Sequence, residues 1–85
     1  MDTQDKAKDK AMCHVQAALR LVAQEITPCP RSPEWKRGAR DAICKVFGVP
    51  REGNPYACGT AQDDAWRAGF HVGHVLAGEA MAAAA

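Results

Sequence analysis

Four cysteines in a chain of 85 residues are the first residues whose chemistry could define a site. Cys13, Cys29, Cys44 and Cys58 follow one another at intervals of 16, 15 and 14 residues. No Cys-x-x-Cys pair is present, although most structural zinc sites contain that spacing. We therefore predict that most of these cysteines are small, buried apolar side chains. A metal or redox pair made by Cys29 and Cys58, both in loops, is the alternative.

His71 and His74 stand three residues apart in a predicted helix, so both could reach one ion. No Asp or Glu occupies the positions that a two-histidine helical zinc site would use. We therefore predict satisfied or surface histidines, no metal site and no other cofactor. Both can still titrate near neutral pH and tune an interface.

Catalytic motifs are absent from the sequence. It contains neither a Gly-rich phosphate loop between a strand and a helix nor a G-x-S-x-G segment. The carboxylates of Asp63 and Asp64 are adjacent in sequence, so on a helix they point about 100° apart and do not face each other. In a first helical turn they stabilise the helix dipole instead. We predict no catalytic residues and no enzyme activity.

Composition bounds the class of protein. There are 11 Lys and Arg against 10 Asp and Glu, so the net charge is +1, and 47% of the residues are hydrophobic. A chain of this length has room for one core, so we predict one domain over residues 1–85. Near neutrality argues against autonomous sequence-specific DNA binding. No run approaches the length of a membrane span or of a secretory signal, which leads us to expect a cytoplasmic protein without membrane contact.

The first predicted helix covers about residues 12–26. Its apolar residues recur at spacings of 3, 4, 3 and 4, which is one helical stripe: Met12, Val15, Leu19, Val22 and Ile26. Prolines between residues 27 and 33 end it. Residues 1–10 alternate acids and lysines, and we expect them to fray.

Two further helices follow. Ser32 and Pro33 suit an N-cap and a first helical position, and Gly48 with Pro50 ends this second helix. After a loop at 49–59, Thr60 and Asp63 form a candidate capping box, and we expect the tail at 81–85 to fray. The buried faces predicted for the two helices are Trp35, Ala39, Ala42, Ile43, Val46 and Phe47, and Trp66, Phe70, Gly73, Leu76, Ala77 and Ala80. The predicted fold is all-α, a small three-helix domain.

A tryptophan motif occurs in both of these helices. The motif begins at Trp35 and again at Trp66, and it consists of Trp, a cation, any residue, Gly, three more residues and a small residue. Gly and a small residue four positions later leave a flat groove that lets two helices approach closely. We predict that helices 2 and 3 pack through it as a Trp/Gly-packed αα-hairpin with both tryptophans buried. A groove for a partner is the alternative.

The same residues carry a family likeness. Three segments carry this likeness: Trp35-x-x-Gly38-x-x-x-Ala42, Asn54-Pro55-Tyr56 and Trp66-x-x-Gly69-Phe70-x-x-Gly73. In this order the sequence resembles the ribosome modulation factor family, with its small phage- and plasmid-borne relatives of the CrpP type. The likeness covers about residues 33–78. It implies two short Gly–aromatic helices joined by a loop with an x-Pro-Tyr element, and binding to the bacterial ribosome near its RNA. Members of that family are strongly basic, whereas this chain is close to neutral.

Charge is nevertheless unevenly distributed along the chain. Residues 31–51 carry a net +4 and residues 52–85 a net −3. We predict a partner-binding surface from the cations of helix 2 and the loop after it: Lys36, Arg37, Arg40, Asn54, Pro55 and Tyr56. An ordinary solvated face, with Tyr56 plugging the core, is the alternative.

The predicted function is a small, non-enzymatic regulatory protein that docks on a ribosome or another ribonucleoprotein. The alternative is a phage- or mobile-element-encoded inhibitor of a host protein complex, for example an anti-defence protein. Whether the first helix also forms a homodimer stays open.

Overall fold

Three helices and no strand are found between residues 13 and 84, the part of the chain that the computed structural model describes. Helix α1 covers residues 13–26, α2 covers Pro33–Phe47 and α3 covers Ala61–Ala84. The predicted all-α class is therefore confirmed. The predicted fraying of residues 1–10 falls outside the described residues.

The end of α1 is a π-helical turn over Val22–Ile26. The Thr27 amide donates a 2.9 Å hydrogen bond to the Val22 carbonyl, five residues back, and the Thr27 hydroxyl lies 3.3 Å from the same oxygen. The Cys29 thiol lies 3.0 Å from the Glu25 carbonyl and donates to it. Helix α1 thus ends at Ile26, as predicted, but through a wider turn that supplies donors to its last carbonyls.

The apolar stripe predicted for α1 is confirmed at Val22 and Ile26, which face the core, and is wrong at Val15 and Leu19. Leu19 is 61% exposed and Val15 37% exposed, whereas Ala18 and Ile26 are 2% and 1% exposed. Leu21 packs partly buried against the core. The predicted stripe therefore faces the core only in the second half of α1, and in the first half the small Ala18 is buried instead. The predicted position of Met12 lies outside the described residues.

Both ends of α2 follow the sequence prediction. The Ser32 hydroxyl accepts a 3.2 Å hydrogen bond from the Trp35 amide, with Pro33 at the first helical position. Gly48 adopts a left-handed conformation with φ of 71°, and Val49 donates a 2.8 Å hydrogen bond to the Cys44 carbonyl. This is the usual glycine-dependent end of a helix.

The start of α3 departs from the predicted capping box in one bond. Thr60 Oγ1 accepts from the Asp63 amide at 3.1 Å, as predicted. The Asp63 carboxylate, however, accepts from the Gly59 amide at 3.0 Å, while the Thr60 amide donates to the Ala57 carbonyl. At its other end α3 extends to Ala84, with residues 81–83 exposed, and fraying of that tail stays a prediction.

The core lies between α2 and α3, and Ala18 and Ile26 of α1 also belong to it. Trp35 and Trp66 are 7% and 6% exposed, and several neighbours are fully buried: Ala39, Ala42, Ile43 and Ala77. Of the predicted faces, Val46, Phe70, Leu76 and Ala80 are only half-buried.

Three glycines stand where the two backbones are closest. A Cβ atom at Gly38 would overlap the Trp66 carbonyl oxygen, and one at Gly69 would overlap the Trp35 carbonyl oxygen. At Gly73 it would meet the backbone of Ala39. Gly38 of α2 thus faces the backbone of α3 at Trp66, and Gly69 of α3 faces the backbone of α2 at Trp35. Each helix therefore approaches the other at a position without a side chain.

Candidate functional site

The loop between α2 and α3 is held by two buried carboxylates, one on each helix. Asp41 Oδ1 accepts the amides of Glu52 and Gly53 at 3.1 and 3.0 Å. Arg51 Nη2 lies 2.8 Å from the other oxygen of Asp41, an ion-pair distance without the alignment of a hydrogen bond. The first half of the loop is thereby fixed to α2.

Asp63 performs the same role at the second half of the loop. Its oxygens accept from the Gly59 amide, from Arg67 Nε at 2.8 Å and from Asn54 Nδ2 at 2.7 Å. These donors, the Gly59 amide first, then Arg67 and Asn54, lower the pKa of Asp63 below the ordinary value of an aspartate. Asp63 therefore stays ionised at neutral pH and binds the loop to α3.

The three predicted cations of α2 lie along one groove, of about 260 Å³, beside the end of α1. Lys36 Nζ donates to the Thr27 carbonyl at 2.8 Å, and Arg37 donates to Glu52 at 2.7 Å. Arg37 lowers the pKa of Glu52 by that hydrogen bond and by its charge. Arg40 is exposed and forms no hydrogen bond or ion pair within residues 13–84. Of the three cations, Arg40 thus offers a charge that the described residues do not use.

The loop residues of the predicted site divide into two kinds. Tyr56 is half-buried, and its ring centre lies 5.9 Å from the Arg37 guanidinium, a cation–π distance. Asn54 bonds to Asp63 and accepts from the Tyr56 amide at 3.0 Å, so its polar atoms hold the loop in shape. Pro55 is exposed. The structure thus brings Arg37 and Tyr56 together and places Asn54 behind them.

Sequence reasoning missed an aromatic column on α3. Trp66 and Phe70 stack with ring centres 5.1 Å apart, and Phe70 and His74 with centres 6.4 Å apart. Lys45 and Arg51 lie 5.6 and 5.4 Å from the centre of the Phe70 ring. The spacing of four residues was the available signal, because such residues share one helix face.

The burial of the cysteine side chains differs from the prediction. Cys13 and Cys58 are exposed, Cys29 and Cys44 are half-buried, and all four are free thiols. None of the four is fully buried, although Cys29 packs partly buried against the core. Burial is still sufficient to raise the pKa of Cys44.

Neither a metal site nor a membrane span is found in the described part of the chain. Between residues 13 and 84, no three His, Cys, Asp or Glu side chains are grouped so that they could hold a metal ion. None of the helices over those residues has both the length and the apolar character needed to cross a bilayer.

Comparison with family models, with curated proteins and with solved structures gives no match for this chain. The likeness to the ribosome modulation factor family therefore depends on the tryptophan motif and on the Asn54-Pro55-Tyr56 segment alone.

Proposed function

We propose that this protein is a small, non-enzymatic regulator that docks on a ribosome or another ribonucleoprotein. We call Lys36, Arg37, Arg40, Asn54, Pro55 and Tyr56 its docking surface. One observation carries the proposal: Arg37 lies against the Tyr56 ring, which joins the cations of α2 to the loop in one continuous surface. Cations beside an aromatic ring are the side chains that contact RNA phosphates and unstacked bases.

The charges of the docking surface support an oriented contact more than a strong electrostatic one. Lys36 and Arg37 are engaged with Thr27 and Glu52, which fixes their side chains before a partner arrives. A preorganised side chain loses less rotamer freedom on binding. Arg40 then supplies the charge that is free to meet a phosphate, so the dependence of binding on salt should be shallow.

We further propose that the tryptophan motif packs the helices as a Trp/Gly-packed αα-hairpin rather than receiving a partner. The space above Gly38, Gly69 and Gly73 is filled by the backbone of the facing helix. A partner helix has no access to that space. Partner binding is therefore assigned to the docking surface.

A second candidate function is inhibition of a host protein complex, and the exposure of Leu19 favours it. Leu19 is 61% exposed and lines a groove of about 300 Å³ together with Arg37 and Arg40. An apolar side chain beside arginines is typical of the centre of a protein–protein interface. Val15, which is also exposed on α1, extends this apolar surface and would serve a homodimer equally.

Sedimentation with bacterial ribosomes tests the first proposal. Tagged protein should migrate with ribosomal particles in a sucrose gradient at low salt. The triple variant Lys36→Gln, Arg37→Gln and Arg40→Gln should remain near the top. The control is Arg20→Gln, Arg31→Gln and Lys45→Gln, three exposed cations away from the docking surface. Each triple variant lowers the net charge from +1 to −2, so only position differs.

The outcome separates the two candidates. Equal loss of ribosome binding in both triple variants would show that overall charge, and not the docking surface, carries the contact. Migration of the parent protein only at the top of the gradient would refute ribosome docking. A lysate pull-down that retains a partner after nuclease treatment, and loses it in Leu19→Asp, would then support the protein-complex inhibitor.

A further inference from the structure

A further groove, of about 400 Å³, lies beside the aromatic column of α3, and no residue of the docking surface lines it. Its lining residues come from α3 and the loop before it: Arg51, Trp66, Arg67, Phe70, His71 and His74. Two of them are arginines, two are histidines and none is acidic. A groove lined in this way is a ready receptor for an anion.

The two arginines are held from behind by the buried carboxylates. Arg67 uses Nε to reach Asp63, and Arg51 uses Nη2 to approach Asp41. Both carboxylates are almost fully enclosed, with side chains 4% and 6% exposed. A guanidinium has five N–H donors, so each arginine keeps several donors for a ligand in the groove while its position is fixed.

The ring of Trp66 also lines the groove, and its indole N–H finds no acceptor within residues 13–84. Trp66 Nε1 is buried. Because this nitrogen is enclosed by protein atoms, it can report on a ligand beside the Trp66 ring without contacting that ligand. His71 and His74 add ring nitrogens from exposed positions on the same helix.

We propose that this groove binds a phosphate group. Its oxygens would accept from Arg51 and Arg67, with His71 and His74 at the rim and the Trp66 ring beside it. Phosphate fits better than carboxylate because it presents acceptors in several directions, and planar arginine donors match its edges. The volume suits one phosphate ester of nucleotide size. The phosphate can belong to a small ester or to the backbone of a single-stranded nucleic acid.

The test uses the full-length protein and nuclear magnetic resonance of its two tryptophan indole groups. Inorganic phosphate, a nucleoside monophosphate and a short single-stranded oligonucleotide are titrated separately at matched ionic strength, with chloride as the blank. We expect a saturable shift of the Trp66 indole resonance in the millimolar range for inorganic phosphate. The Trp35 indole, which does not line the groove, should shift much less.

Two variants and two controls test the lining. Arg51→Gln, and the double change His71→Gln with His74→Gln, should each raise the dissociation constant by about tenfold, as expected for lost charge-assisted hydrogen bonds. Arg20→Gln and His14→Gln make changes of the same type at exposed positions outside both the groove and the docking surface, and they should leave the dissociation constant unaltered. Because both α3 histidines are exposed, the double variant should keep the parent melting temperature.

Each outcome either decides whether the groove binds phosphate or identifies the kind of molecule that supplies the phosphate. A Trp66 resonance that does not respond to any of the three probes, or that responds equally to chloride, overturns phosphate binding. Equal effects of the variants and their controls overturn the assignment to this groove. A stronger response to the oligonucleotide than to the small esters assigns the phosphate to a nucleic-acid backbone, and the reverse assigns it to a small ester. Ribosome sedimentation uses different variants, so failure of either proposal is recognised independently.

Discussion

Replacing Gly69 by Ala tests whether the approach of α2 and α3 depends on a missing side chain. A Cβ atom at this position would overlap the Trp35 carbonyl oxygen and lie 2.7 Å from the carbonyl carbon, against 3.4 Å or more for an ordinary contact. Both atoms belong to the backbone of α2, so no side chain can rotate away. The helices must separate by more than half an ångström, which also loosens the reciprocal contact at Gly38.

Two opposing effects set the magnitude. Alanine favours a helix over glycine by about 1 kcal/mol. Overpacking of a tight core costs about 1–3 kcal/mol, and a clash with rigid backbone belongs at the upper end. The expected net loss is therefore about 2 kcal/mol of unfolding free energy. For a domain of this size, that corresponds to a fall of roughly 10–15 °C in melting temperature. Gly69→Leu should lose more.

Gly78→Ala is the matched control on the same helix. No atom of a neighbouring residue lies within 4 Å of a Cβ built at Gly78, so only the helix preference acts there. Thermal unfolding followed by circular dichroism should show Gly78→Ala melting a few degrees above the parent and Gly69→Ala well below it. An equal rise in both variants would refute the reasoning, since it would mean that the helices separate without loss.

The remaining predictions concern the loop carboxylate and the apolar stripe of α1. Because the pKa of Asp63 is lowered in the fold, its contribution to stability is complete above the ordinary aspartate value of about 3.9 and is lost as the pH falls towards its lower folded pKa. The unfolding free energy of Asp63→Asn should therefore fall less than that of the parent when the pH is lowered from about 7 to about 3. Urea unfolding at the two pH values measures this difference, and Asp64→Asn, a change at an exposed position, is the control that should behave like the parent. Ile26→Ala should cost about 2–5 kcal/mol of unfolding free energy and Leu19→Ala under about 1 kcal/mol, and a loss in Leu19→Ala as large as that in Ile26→Ala would show that the whole predicted stripe is buried.

Local signals predicted the limits of the helices well. Ser32, Gly48 and Thr60 act within a few residues of themselves, through caps that depend only on neighbouring backbone. The stripe of α1 could not be predicted in the same way. Whether a stripe residue such as Ile26 or Leu19 is buried depends on where α1 meets the other helices, and the spacing of apolar residues along one helix does not contain that information.

The parts of the candidate site differ in the same respect. That Lys36, Arg37 and Arg40 share a face follows from helical spacing. The position of Tyr56 against Arg37 does not follow from helical spacing. It depends on how the loop is held by Asp41 and by other buried groups.

Asp41 and Asp63 connect the fold to both proposed surfaces. Each carboxylate is buried on a helix, and each accepts backbone amides of the loop and approaches an arginine. The amides give the loop the shape that brings Tyr56 to Arg37, and the arginines are the ones that line the groove on α3. A buried carboxylate needs such partners to remain charged, so the loop and both arginines are ordered by the same requirement. The docking surface and the phosphate groove should therefore lose their order together when Asp41 or Asp63 is replaced, although the two surfaces share no residue.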